Sequence, residues 1–379
     1  MSMLDTMHPK GDAVAAATRN LAAVNALDDA ARAAIAALPP MISSDSHLHE
    51  PMEIWDRVPS PYREPLLERF GGGLFKRQMP PGATDPHERL EVQNRDGVQA
   101  EILFPNNGMA IFGLDGGDVQ EAAFRVYNDW LTEFCSVAPD RFFGVPCVAT
   151  YDIDAAIREM HRNLDRGLTG IMVWQVPDPA LPFKSNHYDK LWAAAAEAKA
   201  PVHMHILTGH SYARTQGSLR GYERIRGSVN KKQNDTIEAL FDLIFSGVFD
   251  RFPDLRVVLA ESECGWLPFI LQQWDYYFER FSKTEDLGLS RKPSEMFHDQ
   301  VFCTWLEDFS GTRQFTWWGQ DNLMWSNDFP HSNSTYPHSR ENVIYHIGNL
   351  DAALQRKLVR DNAIRLYGLE TRLAQEKTA

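Results

Sequence analysis

The sequence has few cysteines, no long apolar run and no excess of positive charge. Its four cysteines are widely separated and form no CxxC pair, which favours a reduced, cytoplasmic protein over a disulfide framework. No run of about 18 apolar residues occurs and no basic-then-apolar signal begins the sequence, so neither a membrane span nor secretion is expected. The formal net charge of −13, with no basic run longer than Lys231-Lys232, argues against nucleic acid and anionic membranes as partners.

Short β-rich apolar runs alternate with longer helical stretches from residue 41 onward. Eight runs predict strands, at 42–47, 99–104, 142–148, 168–174, 201–206, 255–261, 300–304 and 322–327. Helical patterns lie between them at 119–137, 153–166, 188–199, 235–249, 266–281 and 340–346. This alternation predicts an α/β fold, a parallel (β/α)8 TIM barrel, rather than a doubly wound sheet.

Residues 1–40 differ from the rest of the chain. They are rich in alanine, place apolar residues at helical spacing and end at Pro39-Pro40. We expect an N-terminal helical extension over 1–40 and a single barrel domain over 41–379. The extension either packs on a neighbouring subunit or the barrel floor, or is a partly frayed tail.

Two long insertions follow the predicted first and fifth strands, at 51–98 and 207–234. Loops after barrel strands lie at the carboxyl-terminal face, where barrel enzymes build their active sites. An arginine there could bind an anionic group through a bidentate contact, although a surface position is the commoner case for this residue. The candidates are Arg89 in the first insertion and Arg214, Arg220, Arg224 and Arg226 in the second.

Residues that commonly bind metals cluster at the ends of four predicted strands. Side chains alternate faces along a strand, so residues two apart share a face. The set comprises Asp45, His47, His49 and Glu50 at strand one, His203 and His205 at strand five, Glu261 and Glu263 at strand six, and Asp328 at strand eight. Any one of them is more often a structural ion pair or a core histidine, but the set at one barrel mouth predicts a metal site. Imidazole and carboxylate ligands without thiolate suit zinc, manganese or iron, and open coordination positions favour a catalytic metal.

Three stretches carry a resemblance to a known family. They read DSHLHEP, RFPDLRVVLAESECGWLPF and SNDFPHSNSTYPHS, and the last, with its two Pro-His pairs, is the most specific. Over about residues 41–368 the chain resembles the amidohydrolase-2 family of the amidohydrolase superfamily. That family consists of metal-dependent TIM barrels and includes aminocarboxymuconate-semialdehyde decarboxylase and the resorcylate and carboxyvanillate decarboxylases. The resemblance implies a metal-dependent decarboxylase or hydrolase with a small, carboxylate-bearing substrate.

The resemblance also implies the metal ligands. The family's first-strand pair falls on Asp45 and His47, with His47 and His49 as the alternative register. The fifth-strand ligand falls on His205 and the eighth-strand ligand on Asp328. These four residues would leave positions on the metal open for water or substrate.

The chain departs from the family at the end of strand six. There Glu261 stands in place of a histidine that, in some members, activates metal-bound water. A carboxylate at this position can act as a base or as a ligand of a second metal. We favour one metal with supporting residues around it over a dinuclear site. The residues left for a second metal or a supporting role are His49, Glu50, His203 and Glu261.

Decarboxylation and hydrolysis assign the catalytic residues differently. In decarboxylation an acid protonates the carbon that CO2 leaves, and Asp328 or His331 is the candidate. In hydrolysis Glu261 or Asp328 takes a proton from the attacking water. A dinuclear iron or manganese oxygenase is the alternative class, suggested by the surplus of ligands, and an inactive metal-binding subunit is the third. The resemblance further implies a homodimer or an oligomer with a related subunit.

Aromatic and thiol side chains near the predicted strand ends have two interpretations, a role in the site or packing in the core. Trp55, Trp174, Trp266 and Trp305 either line an apolar pocket or pack in the core. Cys264 is expected to be a small buried filler, because no activating base can be placed beside it.

Overall fold

The computed structural model describes residues 29–70, 79–210 and 220–373. Within them the predicted (β/α)8 TIM barrel is confirmed, with one strand for each of the eight predicted runs. The strands are β1 Met41–Leu48, β2 Val98–Pro105, β3 Phe142–Gly144, β4 Ile171–Val173, β5 Val202–His205, β6 Val257–Ala260, β7 Val301–Trp305 and β8 Leu323–Trp325.

Two parallel ladders make up the barrel wall, β1-β2-β3 and β4-β5-β6-β7-β8. The first seam between them is closed by a bridge from Cys147 to Met172. At the second seam the amide of Asp328 donates to the carbonyl of Asp45 at 3.1 Å. The ring is therefore closed, and the second closure places two predicted ligands side by side.

Helices cover the outside of this ring. They are Asp29–Ala37, Arg63–Phe70, Pro86–Asp96, Gly117–Cys135, Ile153–Leu164, Asp189–Glu197, Gly221–Arg226, Lys232–Phe245, Val248–Arg251, Leu267–Phe281, Pro293–Gln300, Phe309–Thr312, Ser339–Ile347, Ala352–Arg356 and Asn362–Tyr367. Short 3-10 turns occur at Met52–Arg57, Asn107–Gly113 and Asn186–Tyr188, and π-turns at Gly227–Lys231 and Lys357–Asp361. No helix in the described ranges is both long and apolar enough to cross a membrane.

The largest boundary errors of the sequence prediction have local causes. The predicted strand 142–148 ends at Gly144, and Pro146, which has no N–H group, follows two residues later. The predicted helix 235–249 is broken at Gly247, whose φ of 72° is left-handed.

The barrel interior and the layer beneath the helices form one apolar core. Trp55, Trp174 and Trp305 are fully buried in it, so these three tryptophans pack in the core. Trp266 is partly buried and donates its indole N–H to the carbonyl of Ser262 at 3.0 Å. All four cysteines are free and buried, which agrees with a filler role for Cys264.

The described part of the N-terminal extension packs on its own barrel. Helix Asp29–Ala37 is held by Arg340, which donates to the carbonyls of Ile35 at 2.6 Å and Leu38 at 2.8 Å. The prediction for residues 1–28 lies outside the described residues.

Arg89 does not have the substrate-binding role that we considered for it. It lies on helix Pro86–Asp96, which is the crossover from β1 to β2, and its side chain is fully buried. Its guanidinium donates to Glu101 at 2.7 and 3.1 Å and to the carbonyl of His47 at 3.0 Å. It also lies 4.6 Å from the ring centroid of Phe329. Arg89 therefore fastens the first insertion beneath the barrel mouth.

The three arginines of the second insertion that the structure describes do not provide the contact with a substrate anion either. Arg220, Arg224 and Arg226 are exposed, and Arg226 pairs with Glu223 on its own helix. Arg214 lies outside the described residues.

Replacing Arg89 by methionine is expected to lower the free energy of unfolding by about 3–5 kcal/mol, because Glu101 would be left buried and unpaired. The matched control is Arg57→Met, since Arg57 pairs with Glu133 while both side chains are more than half exposed. This control should cost less than about 1 kcal/mol. Urea unfolding of both variants with unchanged m-values measures the difference, and equal losses would contradict the structural role of Arg89.

Candidate metal centre

Asp45, His47, His205 and Asp328 meet at the carboxyl-terminal mouth of the barrel. Asp45 and His47 lie on β1, His205 ends β5, and Asp328 follows β8 by three residues. All four residues are completely buried. We call them the cluster.

The cluster atoms lie at distances that suit ligands of one ion. His47 Nε2 is 3.4 Å from Asp45 Oδ1 and 3.4 Å from Asp328 Oδ1, and His205 Nε2 is 3.5 Å from Asp45 Oδ1. Ligand atoms about 2.1 Å from one cation stand roughly 3.0–3.5 Å apart at octahedral or tetrahedral angles. A divalent cation therefore fits between Asp45, His47 and His205 without rearrangement of the backbone, and Asp328 lies beside this position in contact with His47.

Hydrogen bonds outside the cluster fix both imidazoles in the tautomer that binds metals. His47 Nδ1 donates to the carbonyl of Pro105 at 2.8 Å, and His205 Nδ1 donates to the carbonyl of Ile206 at 2.9 Å. A carbonyl oxygen only accepts, so each Nδ1 carries the proton. The lone pair of each neutral ring is then on Nε2, which faces the cluster.

Four buried polar atoms of the cluster have no hydrogen-bond partner: Asp45 Oδ1, His47 Nε2, His205 Nε2 and Asp328 Oδ2. One such atom costs about 1–3 kcal/mol when it is left unpaired. The ligand atoms of Asp45, His47 and His205 lie within 4.8 Å of one another, so one divalent cation would satisfy these three at once. The donor set therefore fits a metal ion.

The electrostatics of the cluster also favour positive charge. Burial by itself raises the pKa of Asp45, but the charges of His205 and His47 outweigh it and hold this pKa well below its usual range. Burial by itself lowers the pKa of His205, but the charge of Asp45 outweighs it and raises this pKa to about 9. A bound cation would therefore replace the proton that His205 carries beside the ionised Asp45 carboxylate.

Three carboxylate residues that follow strands are held in a left-handed backbone conformation. Glu261 and Glu263 have φ 52° and Asp328 has φ 51°. This conformation is uncommon for residues other than glycine, and such backbone strain costs on the order of 1–3 kcal/mol. The surrounding barrel maintains it at these three positions near the mouth.

Asp328 shares a proton with His331. His331 Nδ1 is 2.8 Å from Asp328 Oδ1, and His331 Nε2 donates to Asn106 Oδ1 at 3.2 Å. With Nε2 protonated, a neutral His331 accepts at Nδ1 from an Asp328 carboxylic acid. Burial, followed by the charge of Glu261, raises the pKa of Asp328 well above its ordinary value, and burial lowers the pKa of His331. The pair therefore keeps its proton on Asp328.

His49 and Glu50 point away from the cluster. Strand β1 ends at Leu48, so the alternation of faces does not extend to them. His49 Nδ1 accepts from the amide of Asn106 at 3.0 Å, and Glu50 accepts backbone N–H groups of residues 106, 107 and 108. Burial raises the pKa of Glu50 to about 7 against these bonds. The structure thus favours the Asp45–His47 register over His47–His49, with Glu50 as a loop anchor.

His203 shares a face of β5 with His205 but lies deeper in the barrel. Its Nδ1 is bonded to the carbonyl of Ile171 at 2.9 Å, and its Nε2 to the hydroxyl of Tyr367 at 2.9 Å. Burial lowers its pKa to about 4. Both nitrogens are occupied by protein groups, so His203 offers no atom to the cluster.

Glu263 is also directed elsewhere, because it accepts the backbone N–H groups of Leu306 at 3.1 Å and Glu307 at 3.3 Å. Burial, and after it the charge of Asp308, raises the pKa of Glu263 to about 8. Its role is to hold the loop after β7.

Glu261 stands at the edge of the cluster, with Oε2 3.8 Å from His205 Nε2. Its Oε1 lies 3.5 Å from the ammonium nitrogen of Lys232. Sequence reasoning missed Lys232, and the signal for it was weak: one lysine pair at the end of the second insertion in an acidic chain. It also missed Asn106, which links His331 to His49 and follows directly after β2.

The two overlapping sets of ligand atoms at the mouth share one nitrogen. One set is Asp45, His47 and His205, and the other is His47, Glu261, Asp328 and His331. An imidazole Nε2 has a single lone pair and therefore binds a single ion. The sharing of His47 favours one cation over two.

Comparisons with known proteins agree with this architecture. A family model described as amidohydrolase matches residues 44–369. The chain is 24% identical over 291 residues to gamma-resorcylate decarboxylase of Rhizobium sp. (strain MTP-10005), covering 74% of this chain and 86% of that protein.

Solved structures share the fold. The crystal structure of 2,6-dihydroxybenzoate decarboxylase from Rhizobium superposes with a TM-score of 0.68 at 21% identity, over 88% of this chain and 99% of that chain. The 5-carboxyvanillate decarboxylase of Novosphingobium aromaticivorans, complexed with manganese and 4-hydroxy-3-methoxy-5-nitrobenzoic acid, gives 0.69 at 20% identity, over 86% and 96%. Because the family model spans most of the chain, from within β1 to two residues past the last helix, the protein belongs to the amidohydrolase family.

Proposed function

We propose that the protein is a metal-dependent, non-oxidative decarboxylase of a small aromatic carboxylate. The observation that carries this proposal is the set of four buried, unpartnered ligand atoms at the barrel mouth, beside the proton-sharing pair of Asp328 and His331. The substrate class is supported by the relatives, which are named decarboxylases of gamma-resorcylate, 2,6-dihydroxybenzoate and 5-carboxyvanillate.

Asp45, His47, His205 and one oxygen of Asp328 would hold the cation. Manganese is the first choice, because the set has nitrogen and oxygen ligands only and a structural neighbour binds manganese, with zinc next and iron third. When bound, the cation acts as a Lewis acid that polarises a substrate oxygen. The tautomers fixed by the carbonyls of Pro105 and Ile206 hold both imidazoles ready to bind it.

The chain's own residues handle the proton. The bond between the ring carbon and the carboxylate breaks, CO2 departs, and the electron pair stays on the ring carbon. That carbon then takes the proton that Asp328 shares with His331. The side chain of His331 is 25% exposed, so it can return a proton to Asp328 from solvent.

Hydrolysis is the second candidate, favoured by Glu261 at the cluster edge, where a carboxylate can take a proton from an attacking water. The dinuclear oxygenase is disfavoured because both ligand sets depend on His47 Nε2. An inactive subunit is disfavoured because every ligand position of the resemblance is filled.

A homo-oligomer stays a prediction for this chain. Helix Leu267–Phe281 supports it by exposing Phe269 and Tyr276, which are more than half accessible. Light scattering on the purified protein would measure the assembly mass.

The metal content should be about one manganese or zinc per chain, falling below about 0.1 in His205→Ala, because the fifth-strand ligand is lost. His203→Gln is the matched control, two residues away on the same strand, and should keep its metal. Plasma mass spectrometry of the purified proteins counts the ions. Two metals per chain, with one lost in Glu261→Gln, would instead support a dinuclear site.

The manganese-loaded protein should release CO2 from 2,6-dihydroxybenzoate-type substrates without consuming oxygen. In D2O the product should carry one deuterium at the carbon that lost CO2, measured by proton NMR. Asp328→Asn should lower kcat by about 10²–10⁴-fold, because the acid is removed. Glu263→Gln, which alters a mouth carboxylate outside the cluster, should retain most activity; equal losses in both variants would contradict the assignment of Asp328.

A further inference from the structure

Lys232 brings a positive charge to the edge of the cluster from the second insertion. It begins helix Lys232–Phe245, directly after the π-turn Gly227–Lys231. Its Nζ is 3.5 Å from Glu261 Oε1, and the other oxygen of the same carboxylate is 3.8 Å from His205 Nε2. One carboxylate therefore separates the ammonium group from a cluster ligand.

The pair lies between the buried cluster and solvent. The side chain of Lys232 is 24% exposed and that of Glu261 is 15% exposed, whereas the ligands below are fully buried. A molecule that approaches the cluster on the side of β5 and β6 therefore contacts this pair. The amide of Glu261 donates to the hydroxyl of Thr304 at 2.7 Å, which fixes the backbone of Glu261 at the end of β6.

The other basic side chains of this region are engaged elsewhere. Lys231 pairs with Asp235 on its own helix at 2.9 Å, and Arg89 is buried against Glu101. Within the described ranges, Lys232 is the one lysine or arginine whose charged nitrogen lies within 4.0 Å of a carboxylate of the cluster or of Glu261.

A negatively charged substrate at the mouth needs a further positive group. Asp45 and Glu261 place two carboxylate charges around a site that fits one divalent ion, and the Asp328–His331 pair, with its shared proton, adds no net charge. The ion therefore balances these two carboxylates, and an anionic substrate adds a negative charge that another side chain must compensate. The contact of Lys232 with Glu261 is longer than the ~2.7–2.9 Å of a strong charge-assisted hydrogen bond, so a better-placed anion can replace it.

We propose that Lys232 binds the carboxylate of the incoming substrate and that Glu261 holds Lys232 at the mouth while the site is free. This inference rests on the proposed decarboxylase function. The carboxylate leaves as uncharged CO2, so Lys232 stabilises the bound substrate but not the separated products. Its contribution is therefore to KM rather than to kcat, and it selects anionic substrates.

The test compares two ligands of one shape and different charge on the manganese-loaded protein. Salicylate carries the carboxylate, and 2-hydroxybenzamide replaces it with an uncharged amide. By titration calorimetry, Lys232→Met should weaken salicylate about tenfold or more and 2-hydroxybenzamide less than about twofold. Lys231→Met, the neighbouring lysine on the same segment, should change neither.

Kinetics and a second variant complete the test. Lys232→Met should raise KM about tenfold or more without lowering kcat. Glu261→Gln should bind salicylate several-fold more tightly, because Lys232 loses its competing partner. Equal weakening of both ligands in Lys232→Met, no weakening of salicylate, no binding of either ligand by wild type, or weaker salicylate binding in Glu261→Gln would each overturn the proposal.

The outcomes separate this inference from the function on which it rests. Decarboxylation by wild type with normal KM in Lys232→Met removes the role of Lys232 only. Charge-selective binding through Lys232 without release of CO2 from any aromatic carboxylate keeps the anion contact and removes the decarboxylase.

Discussion

The structure of the barrel mouth depends on a group of buried polar atoms that have no hydrogen-bond partner within the protein. Asp45, His47 and His205 direct buried ligand atoms at the same small volume, and Asp328 lies against His47 beside it. Each of these four side chains has a buried polar atom without a hydrogen-bond partner. Leaving them unpaired would cost several kcal/mol in total, which is a large share of the stability of a typical domain. A bound cation turns this cost into a stabilising interaction, so folding and metal binding are coupled in this protein.

The barrel orients the ligand side chains through hydrogen bonds on the side that faces away from the cluster. The carbonyls of Pro105 and Ile206 set the imidazole tautomers, and the β1–β8 seam aligns Asp45 with Asp328. Arg89 fastens the layer below through the carbonyl of His47, while Glu101 neutralises its charge. Each ligand is thus oriented by the main chain of the strands, which a closed ring holds rigidly. The same ring maintains the strained backbone of Asp328 at the position where its acid faces the cluster.

The sequence predicted the barrel and a wider set of metal-binding residue types at its mouth because alternation and strand ends are local features. The choice of the four cluster residues from that set came from the family resemblance. The sequence did not predict which of the other side chains reach the cluster, because this depends on their depth in the barrel and on distance. His203 and His205 share a face, but two residues along a strand span about 6.6 Å, so His203 belongs to a deeper layer beside Tyr367. His49 lies beyond the end of β1, where alternation no longer holds. Arg89 was considered for a substrate contact because it lies in the first insertion, and only the fold reveals that it is buried against Glu101.

Glu261 places a negative charge at the entrance of the site, beside ligands that already supply it. Such a charge must be compensated, and Lys232 of the second insertion has its ammonium nitrogen 3.5 Å from this carboxylate. The carboxylate of Glu261 and the ammonium group of Lys232 are therefore best understood as one feature. The core chemistry is set by rigid strand ends, and the entrance charge, which decides what can approach it, is set jointly by a strand end and a loop.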